Sequence, residues 1–255
     1  MPIVSDIYYH VYEGCEVGQK PPVILIHGAG GTHLYWPSEV RRLPGYRIYA
    51  VDLPGHGKSL GRGRQSIPAY TEAILQWLEA VGLHSAIFVG HSMGSAIALN
   101  LAVEHRQHVL GLGLVASSAR LKVSPDLLES TSSPTTYHNA INKIISWSFA
   151  KDTPERLTQL ARKRMADVRP SVLHGDFLAC DAFDASERLA EVCLPTLLVC
   201  GEEDKMTPLR YSQFMADRIT DARLVSIPGA GHMVMLERPQ AVAAAMVNFL
   251  EGISY

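Results

Sequence analysis

A buried strand that runs straight into a small-residue helix through Gly90-His91-Ser92-Met93-Gly94 restricts this chain more than any other feature. Residues 86–89 are apolar and residues 92–105 read as a helix, so the chain must reverse its backbone geometry within a few residues. Glycines two positions either side of Ser92 let it do so without a Cβ clash. A turn this tight is strained, and it lifts the serine Oγ above the sheet edge instead of packing it inside. Ser92 is therefore a candidate nucleophile. The plainer alternative is a tight strand-to-helix turn of any α/β chain, because Gly-x-Ser-x-Gly often arises by chance. In the following helix, Gly94, Ala98 and Ala102 fall at i, i+4 and i+8, a smooth stripe suited to close packing on a sheet.

The same alternation extends on both sides. Residues 6–12 read as an edge strand, 23–26 as a fully buried one and 47–53 as a third. An amphipathic helix over 67–81 precedes the strand at 86–89, and 110–115 is another strand. Short, continuous apolar strands separated by helices predict a parallel sheet covered on both faces. From 118 to 188 the strand signals vanish, and helix-like segments broken by Ser, Thr and Pro take over. Tyr137, Trp147, Phe149, Phe177 and Phe183 are scattered through this block, which is too long for one crossover. Strand and helix then resume, with strands at 196–200 and 224–227, a helix after Pro208 and a last helix from Pro239. That last helix sets Val242, Met246, Phe249 and Leu250 on one face. We therefore expect an α/β core of residues 1–117 and 189–255, with 118–188 forming a helical lid over the C-terminal sheet edge.

Composition narrows the partners. Apolar residues make up 47% and charged residues 19% of 255, an ordinary folded balance with a net charge of −2. Arg162-Lys163-Arg164 is the longest basic run, so nucleic acid is a poor partner. No apolar run reaches membrane-spanning length, and Met1 to Tyr12 lacks the regions of a signal peptide. Cys15, Cys180, Cys193 and Cys200 show neither CxxC spacing nor a disulfide framework. They read as free, mostly buried thiols of a cytoplasmic protein.

A serine hydroxyl needs a base to take its proton and a third group to orient that base. Asp204, in Gly201-Glu202-Glu203-Asp204, lies just past a buried strand and is the candidate acid; Glu202 and Glu203 are its rivals. His232, in Pro228-Gly229-Ala230-Gly231-His232 after the next strand, is the candidate base among eleven histidines. The order Ser, Asp, His suits a serine in such a turn. Oxyanion donors are expected from the backbone N–H groups of Met93, at a helix N-terminus, and Ala29, in His27-Gly28-Ala29-Gly30-Gly31. A phosphate-binding reading of that glycine loop fails. Gly28-x-Gly30 is followed by His33 where a dinucleotide fingerprint needs glycine, and no Gly-Lys-Ser/Thr follows. His27 and His33 lack a third ligand at usable spacing, so no metal is expected; His27 reads as fixing the turn. His33, Trp147 and Met233 are the candidate substrate-pocket residues.

Together these features resemble the α/β-hydrolase fold superfamily, in particular lidded serine hydrolases of the carboxylesterase kind. The matching residues are His27-Gly28, Asp52-Leu53-Pro54-Gly55-His56-Gly57-Lys58-Ser59, Gly90 to Gly94, Gly201-x-x-Asp204 and Gly231-His232. The resemblance implies a mostly parallel sheet of about eight strands with a lid after the sixth. It also implies hydrolysis of small or medium acyl esters through an acyl-enzyme, with no cofactor. Asp52 to Ser59 is expected to be a structural loop. Competing activities share the fold. A carbon–carbon bond hydrolase of meta-cleavage-type products needs basic pocket groups, for which Arg120, Lys122, Lys143 and Arg188 are available. Lyases of the menaquinone-pathway and hydroxynitrile types are disfavoured by Ala96 and Met233, which stand where those types carry arginine and lysine. A small-molecule receptor can retain the whole triad.

Overall fold

Val23, Ile24, Leu25 and Ile26 are all fully buried, which a strand achieves only when both of its faces are covered. Side chains alternate across a strand, so Ile24 and Ile26 join one apolar layer while Val23 and Leu25 join the other. The computed structural model describes residues 2–13 and 20–253; Cys15 lies outside the described residues. Its strands are β1 (Ile3–Val4), β2 (Ile7–Glu13), β3 (Val23–Ile26), β4 (Arg47–Asp52), β5 (Ala86–His91), β6 (Val109–Val115), β7 (Thr196–Gly201) and β8 (Ala222–Ile227). They form one eight-stranded sheet in the order β1-β2-β4-β3-β5-β6-β7-β8. The β1-β2 and β2-β4 pairs are antiparallel and every other pair is parallel.

Residues 6–12 do not make the sheet edge. Ser5 and Asp6, both at positive φ (48° and 65°), fold the chain into a two-residue hairpin in which Val4 faces Ile7. The short β1 therefore takes the edge and β2 lies inside it.

Helices α1 (Ser38–Arg41), α2 (Ile67–Ala80) and α3 (Met93–Glu104) follow β3, β4 and β5. Ser66 caps α2 by accepting from the Ala69 N–H. α2 and α3 pack Ile74, Trp77, Ile97 and Leu101 onto the Ile24/Ile26 face of the sheet. Between β6 and β7 run α4 (Pro125–Ser132), α5 (Tyr137–Ser148), α6 (Glu155–Ala166) and α7 (Pro170–Asp181), then a 3-10 turn over Ser186–Glu191. An isolated antiparallel bridge between Arg120 and Asp184 draws the two ends of this insertion together. The chain closes with α8 (Leu209–Ala216), α9 (Val234–Glu237) and α10 (Pro239–Leu250). α1 and α10 cover the opposite face, through Val40, Val242 and Met246. Among the described residues no helix is long and apolar enough to cross a membrane. Cys180 and Cys200 are buried, Cys193 is exposed, and all three are free thiols.

The small-residue stripe of α3 has a measurable cause. A Cβ on Gly94 would stand 2.3 Å from the Ile26 carbonyl oxygen, so α3 begins in direct backbone contact with the end of β3. Gly94→Ala should push α3 off the sheet and cost about 3 kcal/mol, at the upper end for overpacking. Differential scanning fluorimetry should show this as a fall in thermal midpoint of roughly 6–12 °C; an unchanged midpoint would contradict the packing described.

Candidate active site

β5 delivers the chain to Ser92, whose φ of 52° and ψ of −115° lie outside the ordinary regions for a side-chain-bearing residue. The turn holds because its neighbours leave no alternative. The Ser92 N–H donates to the Val115 carbonyl (2.9 Å) and Ser95 Oγ donates to the Gly90 carbonyl (2.7 Å). A Cβ on Gly90 would meet the Gly94 carbonyl oxygen at 2.1 Å, so only glycine fits the entry to the turn.

Asp204 stands in the loop after β7 and is buried, whereas Glu202 and Glu203 beside it are exposed. Its Oδ1 accepts from the N–H groups of Met206 and Thr207, both at 2.8 Å, and its Oδ2 accepts from Thr207 Oγ1 at 2.8 Å. His232, in the loop after β8, places Nδ1 2.9 Å from the same Oδ2. Facing a carboxylate, Nδ1 carries the proton, which leaves Nε2 free to act as a base. Burial alone would raise the Asp204 carboxyl, but the His232 ring and the Thr207 hydrogen bonds outweigh it and hold the pKa below the usual range. Ser92 and His232 both line one cavity. Among the described residues no hydrogen bond joins them, a contact that in unliganded sites often tightens only with substrate.

The His232 loop is tethered from several sides. The Gly231 N–H donates to Glu237 Oε2 (2.8 Å), the Met233 N–H to the Ser148 carbonyl (2.9 Å), and Glu237 Oε1 accepts from the Ala150 N–H (2.8 Å) and the Thr153 hydroxyl. One carboxylate thus grips both the histidine loop and the segment joining α5 to α6.

The glycine loop after β3 is held by His27, whose Nδ1–H donates to the Gly28 carbonyl (2.8 Å) while its Nε2 accepts from the Leu53 N–H (3.0 Å). Ala29 lines the cavity, and Met93 supplies the first N–H of α3. Among the described residues neither N–H is donated to another protein group, which leaves both available to an anion beside Ser92.

The cavity encloses about 540 Å³, with Ile144, Met165, Phe177 and Met233 among its apolar walls. Arg120 and Lys122 also line it, each paired with an aspartate, Asp184 at 3.3 Å and Asp181 at 3.4 Å. Two expected pocket residues stand elsewhere. His33 is turned away, its Nδ1 and its N–H both bonded to Asp52 Oδ1 (2.8 and 2.6 Å), while Asp52 Oδ2 accepts from the Lys58 N–H of the loop after β4 (2.9 Å). Trp147 lies half-buried outside the cavity with Lys143 Nζ 5.0 Å above its ring, since α5 presents Ile144 and Ser148 inward instead. Lys143 and Arg188 are likewise absent from the cavity wall; Arg188 pairs with Glu104 and Glu191. Tyr211 and Phe214 of α8 line it and were missed; their only sequence signal is an i, i+3 spacing shortly after the Asp204 loop. No group of three His, Cys, Asp or Glu side chains able to hold a metal occurs among the described residues.

Two buried histidines give the fold a pH dependence. Burial first, and the nearby His56 second, lower His27 to about 4; burial and His232 lower His91 to about 3. Both rings are therefore neutral in the folded protein and free to protonate near pH 6.5 in the unfolded chain. A base with a lowered folded pKa costs stability as pH falls below its unfolded value, and the cost grows until the folded value is reached. Stability should therefore decline from pH 6.5 toward 4, on the order of 3 kcal/mol for His27 alone. Urea melts across that range check this, and His27→Gln should flatten the decline.

The family model described as alpha/beta hydrolase fold matches residues 21–239. A pimeloyl-acyl-carrier-protein methyl ester esterase of Neisseria meningitidis serogroup B is 31% identical over 249 residues, 90% of this chain and 93% of that protein. A putative carbamate hydrolase of a Caulobacter species is 27% identical over 97% of both chains. Among solved structures, a thermophilic esterase superposes with a TM-score of 0.82 at 33% identity, covering 97% of this chain and 99% of its own. An enol-lactonase from Burkholderia xenovorans shares the fold at a TM-score of 0.88 and 22% identity, over 96% of both chains. With the sheet order, the strained serine turn and these matches in hand, the chain belongs to the alpha/beta hydrolase fold family.

Proposed function

We propose that this protein is a serine carboxylester hydrolase acting on small to medium acyl chains through Ser92, His232 and Asp204. The observation that carries the reading is the buried Asp204–His232 pair opening onto the same cavity as a serine held in a strained turn. His232 Nε2 takes the Ser92 Oγ proton as the oxygen attacks the ester carbonyl. The resulting oxyanion lies against the Ala29 and Met93 N–H groups, whose alignment costs nothing at the moment of reaction. The protonated His232, steadied by Asp204, then gives its proton to the departing alcohol. Water enters and loses a proton to His232 as it attacks the acyl carbon; the C–Oγ bond then breaks, Ser92 Oγ takes that proton back and the acid leaves. Side chains and water suffice for every step.

The insertion 118–188 serves in this reading as a lid on the core of 1–117 and 189–255, supplying Ile144, Met165 and Phe177 to the acyl pocket. Mostly apolar walls around 540 Å³ suit a short or medium chain with few polar anchors. The relatives named for a pimeloyl methyl ester, a medium chain bearing a small ester, support the same class. Arg120 and Lys122 on the cavity wall favour one second reading, a carbon–carbon bond hydrolase holding an anionic substrate. Their pairing with Asp184 and Asp181 weakens it, because each cation is already compensated.

The test is a kinetic series on p-nitrophenyl acetate, butyrate, octanoate and palmitate with Ser92→Ala in parallel. Turnover should peak at butyrate or octanoate and fall by ~10³-fold or more in Ser92→Ala. Folded wild-type protein without ester turnover would reject the reading in favour of the carbon–carbon hydrolase.

A further inference from the structure

Asp176 is a charged residue with no exposed surface, on α7 of the insertion and far in sequence from every residue of the proposed triad. Its Oδ2 accepts from the Gly30 N–H (2.8 Å) and from His56 Nε2 (2.8 Å), and its Oδ1 accepts from the Tyr70 hydroxyl (2.5 Å). His56 also turns Nδ1 toward the Pro54 carbonyl (3.2 Å). Both ring nitrogens then face acceptors, an arrangement that favours the doubly protonated ring opposite the carboxylate. Burial opposes that charge, but Asp176 outweighs it and raises the His56 pKa above the ordinary value.

The consequence concerns the direction of one N–H bond. The Ala29 N–H belongs to the planar peptide whose carbonyl is that of Gly28, and in a trans peptide the two point in opposite directions. That carbonyl is fixed by the His27 Nδ1–H and by the Gly31 N–H (3.0 Å). The next peptide, carrying the Gly30 N–H, is held among the described residues by Asp176, and it begins a residue at φ 61°, a conformation only glycine holds easily. With both flanking peptides pinned, the direction of the Ala29 N–H is fixed.

We propose that Asp176 is a positioning residue for the oxyanion site, holding the Ala29 N–H in its productive direction through Gly30 while His56 and Tyr70 hold Asp176. The inference rests on the serine esterase reading above. It also makes α7 part of the catalytic support, because the carboxylate that orders the loop after β3 comes from the insertion.

Asp176→Asn keeps the size of the side chain but removes its charge and turns one oxygen acceptor into a donor. The experiment measures kcat and KM on p-nitrophenyl butyrate per active site titrated with a fluorophosphonate, and inhibition by butyl boronic acid, which mimics the tetrahedral oxyanion. Expected are a 10- to 100-fold lower kcat per titrated site, KM within about twofold of wild type and weaker boronate inhibition. Asp176→Glu should recover part of the loss. Tyr70→Phe, which removes one hydroxyl and keeps the ring packing, should lower kcat about threefold and decides the matter if Asp176→Asn does not fold. A role in folding alone would reduce the titratable fraction and the thermal midpoint but leave kcat per site and boronate inhibition unchanged, and that result overturns the proposal. Ester turnover surviving in Ser92→Ala overturns the esterase reading and this inference with it. Turnover lost in Ser92→Ala but unaltered per site in the Asp176 and Tyr70 variants overturns this inference alone.

Discussion

The backbone at Ser92 is the constraint on which the rest of the molecule depends. A side-chain-bearing residue at φ 52° and ψ −115° costs about 1–3 kcal/mol, and it persists only where its surroundings over-determine it. Here the parallel sheet does so. β6 receives the Ser92 N–H, β3 abuts the first turn of α3, and Ser95 reaches back to the Gly90 carbonyl. Parallel strands also end on the same edge. The loops after β3, β5, β7 and β8 therefore bring Ala29, Ser92, Asp204 and His232 to one side of the sheet without any long-range device beyond strand order.

Buried charge around that edge follows a consistent rule. Asp204, Asp52 and Asp176 each face a histidine and are further satisfied by backbone or hydroxyl donors, so no carboxylate is left to bear its desolvation unaided. Histidines lacking a carboxylate partner, His27 and His91, stay neutral instead. In His27 the neutral ring is well used, since one nitrogen donates and the other accepts.

Local pattern carried a reader of the sequence a long way. The uninterrupted apolar run at 23–26, the glycines around Ser92 and the loop positions of Asp204 and His232 all follow from spacing over a few residues. What could not be read depends on distant packing. Whether Trp147 or Phe177 meets the cavity is decided by how α5 and α7 pack at the sheet edge, and His33 is turned aside by Asp52, nineteen positions away; nothing near those residues encodes either. Asp176 is the clearest case. Its helix carries other polar residues that do not single it out, and its partners Gly30, His56 and Tyr70 lie between 106 and 146 positions away. The hairpin that makes β1 escaped for another reason, because Ser5-Asp6 lacks the glycine that usually marks such a turn.

Glu237 grips the histidine loop with one oxygen and the start of the α5–α6 connection with the other. A latch shared in this way makes two movements inseparable. Any displacement of residues 150–153 relative to the Gly231 loop must break or drag a hydrogen bond of that same carboxylate. Glu237 therefore registers the segment joining α5 to α6 against the loop that carries His232.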